Sequence, residues 1–200
     1  LQSSSAASDV YKRQNKYTAY ALLGKVLLYQ DKFAEAASAL DNVIGVYSLV
    51  SDYGSQFLRF GENGPESVFE IQYSNQSNWY DWGCAHCSEG NYAIIMNGPR
   101  GWSGPEYAQG WSFNVPTEEF YNSFEEGDSR RDATVLDIEA FAAATGASYT
   151  EGYDHTGYFN NKYIPRAGES GGQTELNYLT NFRIIRYSDV LLMAAEAYNR

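Results

Sequence analysis

Two hundred residues, 44% of them hydrophobic, are enough to bury a sizeable core, and no apolar run is long enough to cross a bilayer as a helix. A formal net charge of -11 with no basic stripe to offset it would repel a phosphate backbone, so nucleic acid is excluded as a partner. Aromatic residues make up 16% of the chain, and many sit in Gly- and Asn-rich stretches where no helical or strand period would bury them, as surface residues that touch something do.

The chain opens on a segment that looks foreign. Ser4 to Gln14, SSAASDVYKRQ, resembles the translated read-through of a sequencing adapter, so residues 1–14 are expected to be a non-native segment, with 15–200 a partial domain. No signal peptide is visible, and Arg200 falls inside a helical pattern with no Gly, Asn or Pro stop after it. The expectation is an internal piece of a longer protein.

From Tyr17 to Ile44 the spacing predicts two helices packed back to back. Tyr20, Leu23, Gly24, Leu27 and Leu28 recur at helical spacing, as do Phe33, Ala36, Ala37, Leu40, Val43 and Ile44, with Gln30-Asp31-Lys32 as the turn. Gly24 and Ala36 leave room for close approach of the two backbones. The run resembles one tetratricopeptide (TPR) repeat, a unit that needs stacked neighbours to cover its outer face. A helical hairpin of a generic bundle is the alternative.

Gly45 to Leu49 reads as a connector, and Ser51-Asp52-Tyr53 as the start of a short helix with Phe57 and Phe60 turned inward. Glu66 to Tyr73 alternates as a half-buried strand, with Phe69, Ile71 and Tyr73 on one face and Glu70 and Gln72 on the other. Periodicity is lost from Ser74 to Asn114, a connection long enough to be functional. Thr117 is placed to cap a short helix with Phe120 and Phe124 facing the core, followed by a charged turn at Asp128–Asp132 and a strand at Thr134–Ile138. Loops at Thr145–Gly157 and Gly168–Thr174 flank an extended segment, Tyr158–Ile164. A final helix, Tyr187–Asn199, is apolar at Val190, Leu191, Met193, Ala194 and Ala197.

That last helix carries a recognisable string. Arg186-Tyr187-Ser188-Asp189-Val190-Leu191-Leu192-Met193-Ala194-Ala195-Glu196-Ala197-Tyr198-Asn199 resembles the RYADVLLMYAEALN block of the SusD/RagB family of outer-membrane nutrient-binding lipoproteins. Further blocks are similar in the same order: the helical hairpin, Glu66–Tyr73 as an ESIFEIQ-type segment, Pro116-Thr117-Glu118-Glu119-Phe120 with Phe124, Asp128 and Arg130, and Lys162-Tyr163-Ile164. The resemblance implies a mainly α fold of TPR-like hairpins with a long loop-rich insertion and a few short strands. It also implies a lipid-anchored protein at the cell surface, in the outer membrane, that captures oligosaccharide and delivers it to a SusC-like TonB-dependent transporter. The anchor itself would lie outside this fragment, and no enzyme activity, cofactor or metal is implied.

A sugar ring presents an apolar C–H face and a fringe of hydroxyls, which suits flat aromatics with polar neighbours. The ligand-binding candidates are Trp79, Tyr80 and Trp82 in one loop and Trp102, Tyr107 and Trp111 in the next, with Asn91 and Arg100, and Asn78 and Asp81 beside them, for hydroxyl contacts. The alternative for each tryptophan is that it pins a loop onto the helices; at least two are expected to be exposed. Cys84-Ala85-His86-Cys87 suggests a local disulfide in an exported protein, with free thiols or zinc as alternatives, although zinc wants four ligands and only His155 could be added to these. A glycosidase needs two carboxylates about 5–10 Å apart across a cleft. Glu118/Glu119 and Glu125/Glu126 are neighbours on a short helix instead, where they point apart. The competing function is a TPR-type scaffold that binds proteins through its helical concavity.

Overall fold

The computed structural model describes residues 15–76, 82–171 and 176–200. In chain order its elements are helices α1 (Lys16–Leu28) and α2 (Phe33–Asp41), strand β1 (Ser67–Ile71), helix α3 (Ala93–Met96), strand β2 (Arg100–Ser103), helices α4 (Glu118–Asn122) and α5 (Arg130–Thr134) and strand β3 (Val135–Asp137). Helix α6 (Ile138–Thr145), strands β4 (Ser148–Thr150), β5 (Tyr158–Asn160) and β6 (Phe182–Arg186) and helix α7 (Tyr187–Asn199) follow. Short 3-10 turns lie at Gly54–Phe57 and Trp82–Cys87. The chain divides into two compact units: one joins the segment ending at Asp52 to Phe60–Gln72 and Asn181–Arg200, and the other combines Tyr53–Arg59 with Tyr73–Thr180.

The first unit is built on the expected hairpin. Asn15 starts α1 by accepting the Tyr17 and Thr18 amides, each at 2.9 Å, which satisfies two of the donors a helix start leaves free. Gly24 faces Leu40 so closely that a Cβ would stand 2.5 Å from its side chain, so the glycine admits a fully buried leucine from α2. Ala21, Leu28, Ala36, Leu40 and Val43 close a core with Val68, Ile185, Val190 and Ala194. The inward face of α1 differs from the one read from spacing. Gly24 and Leu28 are inside, but Tyr20 and Leu23 are 36% and 47% exposed, and Thr18 and Ala21 take their place. The reason is a polar anchor: the buried Thr18 hydroxyl donates to the Val68 carbonyl at 2.8 Å and turns that side of the helix toward β1. Ile44, 39% exposed, and Phe60, 78% exposed, also lie outside, whereas Phe57 in the other unit is buried.

Strands β1 and β6 pair antiparallel, with Glu70 opposite Arg183 and a bulged register between Ser67 and Glu70. The alternation of β1 is inverted relative to expectation: Val68 and Glu70 point inward, and Ile71 is 41% exposed. A buried carboxylate is tolerated because it is paired and bonded. Arg183 lies 3.7 Å from Glu70, and Glu70 also accepts from the Asn63 amide at 3.2 Å and the Asn181 side chain at 3.1 Å. Just past the Ser67–Arg186 end of the ladder, the Tyr187 amide donates to the Glu66 carbonyl at 2.8 Å and the Arg186 amide to the Asp189 carboxylate at 2.8 Å, so β6 runs straight into a capped α7. Val190, Ala194 and Ala197 are the buried stripe of that helix, while Leu192 is 70% exposed.

The second unit holds the loop-rich part of the chain. Two antiparallel ribbons, β2 with β4 and β3 with β5, support a cluster of Tyr107, Leu136, Ile138, Phe159 and Ile164, and a separate cluster forms around Ile94, Ile95 and Tyr178. The expected strand at Thr134–Ile138 is β3, and Asp137 at its end caps α6 by accepting the Ala140 amide at 2.9 Å. Helix α6 and strand β4 were not legible, because alanines surround Phe141 on α6 and leave no polar face to define a stripe. Thr117 caps α4 as expected, accepting the Phe120 amide at 3.2 Å. Phe120, by contrast, is 46% exposed rather than facing the core.

Candidate functional site

Four aromatic rings meet at the surface of the second unit. The indoles of Trp82 and Trp111 lie with centroids 5.6 Å apart and planes tilted by 31°. Tyr92 packs its ring against Trp82 at 6.4 Å, and Phe113 against Trp111 at 6.2 Å, both near perpendicular. Trp82, Tyr92 and Phe113 are 48%, 46% and 51% exposed, and Trp111 is half-buried with its inner edge on the Ile94–Ile95 cluster. Arg100 crosses the end of the row: its guanidinium carbon stands 5.6 Å from the Phe113 centroid and its Nε donates to the Trp111 carbonyl at 2.7 Å.

Backbone pairing, rather than a long helix or sheet, holds these rings. The amides of Trp111, Ser112 and Phe113 each donate, at 2.9 Å, to the carbonyls of Ile95, Gly98 and Met96. Gly110 opens this clamp, and a Cβ there would stand 1.9 Å from the Asn97 carbonyl oxygen, so the close approach requires glycine. Ser112 and Asn114 on either side of Phe113 adopt φ of 58° and 52°, a left-handed conformation that turns the chain twice and lifts the phenyl ring out. The Ser112 hydroxyl accepts the Arg100 amide at 3.1 Å and ties β2 to the same clamp. Cys84 and Cys87 form a disulfide, Cα atoms 5.4 Å apart, in the turn that begins at Trp82, so both thiols are used in a bridge. His155 lies against Tyr149, with Nε2 3.3 Å from its hydroxyl.

Of the residues singled out in the sequence, Trp82, Arg100 and Trp111 come together on this face. Trp79 and Tyr80, with Asn78 and Asp81, lie outside the described residues. Asn91, Trp102 and Tyr107 take structural positions. Asn91 is 2% exposed; its amide group donates to the Thr180 carbonyl at 2.9 Å while its oxygen accepts the Ala93 amide at 3.1 Å. Tyr107 is 5% exposed, with its hydroxyl donating to Asn161 at 3.3 Å, and burial followed by the Glu106 carboxylate pushes its phenol up to about 12. Trp102 packs on Tyr107 and Phe141, with both centroids at 5.9 Å. Burial removes Asn91 and Tyr107 from surface contact, and Trp102 serves as the pin between its loop and α6. The rings that spacing missed are Tyr92 and Phe113. Phe113 had one signal: two residues past Trp111, it shares a face with it if the segment is extended.

The carboxylate pairs are spread outward. Glu118 and Glu119 occupy the first turn of α4, where they suit the helix dipole. Asp128 is bound by Arg130 through Nε at 2.9 Å and by its backbone amide at 2.9 Å, and these bonds hold its carboxyl down to about 2. Chemically, the aromatic row offers flat apolar faces with one guanidinium beside them, an arrangement suited to stacking a ring that carries hydroxyls at its edge.

Comparison with known proteins identifies the family of the fold. A model of the SusD family matches residues 65–200. SusD-like protein P2 of Formosa agariphila is 30% identical over 200 residues, covering 92% of this chain and 37% of that protein. A solved laminarin-binding SusD-like protein is 39% identical with a TM-score of 0.84, covering 92% of this chain and 44% of that one. Surface glycan-binding protein A from Bacteroides thetaiotaomicron, solved in complex with laminarihexaose, is 30% identical with a TM-score of 0.85, covering 94% of this chain and 45% of that one. The sequence thus spans 37% of the length of its curated relative. With the family model matching residues 65–200 and similar folds covering 92–94% of it, the chain belongs to the SusD family.

Proposed function

We propose that this chain carries the ligand-binding face of a cell-surface glycan-binding lipoprotein, and that its ligand is a laminarin-type β-1,3-glucan. The observation that carries the reading is the tilted pair of exposed Trp82 and half-buried Trp111, continued by exposed Phe113. Two indoles at an angle fit successive rings of a curved glucan better than a flat one. Arg100 keeps its terminal nitrogens out of any ion pair among the described residues, so they are available to hydroxyls. Two similar solved proteins, one laminarin-binding and one in complex with laminarihexaose, support this sugar class.

In this reading the site holds and releases without turnover, passing oligosaccharide to a SusC-like TonB-dependent transporter of the outer membrane. Affinity is modest, since every hydroxyl that stacks at a wet rim must be desolvated. Calorimetric titration with laminarihexaose tests it. Binding is expected in the unmodified protein, and Trp111→Ala is expected to weaken it by about 30-fold, the cost of a central aromatic anchor. No binding, or release of shorter sugars, would sink it. The scaffold reading rests on a different observation, the open depression between Tyr20, Leu23 and Leu27 of α1 and Ala39 of α2. It requires a protein partner whose binding survives Trp111→Ala and is lost in Leu23→Asp.

A further inference from the structure

Beyond the aromatic row, the same unit has a second surface feature that neither of its apolar clusters uses. Phe120 is 46% exposed and belongs to neither cluster. Helix α4 does not need it as an anchor, because Tyr121 performs that task, stacked on Tyr158 at 4.5 Å and covered by the Arg131 guanidinium at 5.0 Å. The Phe120 ring is instead held from the side by Phe124 at 5.3 Å, edge to face, and stands between two depressions of about 490 and 310 Å³. Thr134 and Lys162 line both. We propose that the groove around Phe120 and Lys162 is a second saccharide subsite, on which the distal rings of a longer neutral oligosaccharide rest.

The chemistry of the groove selects that ligand class. Lys162 is held by ring faces, with Nζ 4.8 Å from Phe57 and 5.2 Å from Tyr53, and its ammonium makes no ion pair among the described residues. The larger depression is also lined by two acceptors, Glu125 and Asp128, the latter kept ionised by Arg130. An anion would meet these carboxylates, and a cation would meet Lys162 and Arg130. A neutral hydroxyl, which both donates and accepts, can use every group. The exposed phenyl face in the middle supplies the apolar contact that the C–H face of a pyranose needs.

Continuity with the aromatic row gives the subsite its role. Phe113 ends the row, and the next residues, Asn114, Val115 and Pro116, line the smaller depression. Three backbone steps span at most about 11 Å, so one oligosaccharide of several rings can lie across both features. The inference rests on the glycan reading given above, and it specifies that the site prefers long ligands.

The test uses aromatic proton–carbon spectra of the protein, with Phe120 and the indoles assigned, titrated with laminaribiose and laminarihexaose, alongside calorimetry on Phe120→Ala and Phe120→Trp. With laminarihexaose, shifts are expected at Phe120 as well as at Trp82 and Trp111. Phe120→Ala is expected to weaken hexaose binding by about fivefold and leave laminaribiose within about twofold, with Phe120→Trp restoring the difference. Shifts at the indoles with Phe120 silent overturn the subsite and leave the glycan reading standing. Shifts at Phe120 with the indoles silent overturn the aromatic row as the primary site, and with it the role of Phe120 as an extension of that row. Silence at both overturns both, and an equal loss for the short and long sugars in Phe120→Ala overturns the extension.

Discussion

The helical unit and the loop-rich unit of this chain treat their ion pairs differently. In the helical unit Glu66, Glu70 and Arg183 are buried, while Leu23 and Leu192 face outward. In the loop-rich unit the Asp128–Arg130 and Arg131–Asp132 pairs lie at the surface, and three of the four rings of the aromatic row are exposed. The difference follows from what holds each backbone. Where a strand pair carries the structure, a buried ion pair at one register position costs desolvation but rejects every other register. Where loops carry it, glycine-dependent contacts such as that of Gly110 secure the main chain, and neighbouring side chains are left at the surface.

This division can be broken at either end, and the largest effect is expected in the helical unit. Arg183→Met leaves Glu70 buried without its cation and is expected to cost about 3–5 kcal/mol in denaturant unfolding, with unchanged affinity for laminarihexaose in the folded fraction. A parallel loss of affinity would show that the two roles are not separate. Gly110→Ala should act in the other unit: its methyl group collides with the Asn97 carbonyl, and overpacking of this kind costs about 1–3 kcal/mol. Because Trp111 follows directly, glycan affinity is expected to fall with it, and an affinity matching the unmodified protein would refute the clamp.

Smaller effects sharpen the comparison. Thr117→Ala removes the cap of α4 at an expected cost of about 1 kcal/mol, read by thermal unfolding, with no change in the binding of short sugars at the indoles. The exposed Asp128–Arg130 pair is expected to matter least. Its carboxyl, held at about 2 against an ordinary 3.8, favours the folded state above the ordinary value, and that contribution is lost as the pH falls from about 4 toward 2. Carboxyl titration by NMR checks the direction, and Arg130→Gln should return Asp128 toward its ordinary range.

The aromatic row shows where reading by residue type stops. Tryptophan and arginine in a Gly-rich loop are conspicuous, and Trp82, Arg100 and Trp111 come together on one face, but the same criterion selected Tyr107, which is buried, and Trp102, which packs against it. Loop composition says that aromatics are present, not which way they turn. Direction is set by the left-handed residues Ser112 and Asn114 and by the partners of Gly110, none of which leaves a periodic trace. The same holds for Phe120, whose spacing with Phe124 marks a shared face without saying whether that face is inside.

What the amino-acid order determined by itself was the helical hairpin, the span of α7, the cap at Thr117, and through the ordered blocks the family, because these depend on spacing within a few residues of chain. Tertiary structure alone decided that α1 turns Thr18 and Ala21 inward, that Glu70 rather than Ile71 enters the core, and that Tyr92 and Phe113 join the indoles. Each of those outcomes hangs on a partner more than ten residues away: Val68 for Thr18, Arg183 for Glu70, the Met96 carbonyl for Phe113. A local pattern can show that a residue has two faces to choose from, but the long-range hydrogen bond or ion pair selects one.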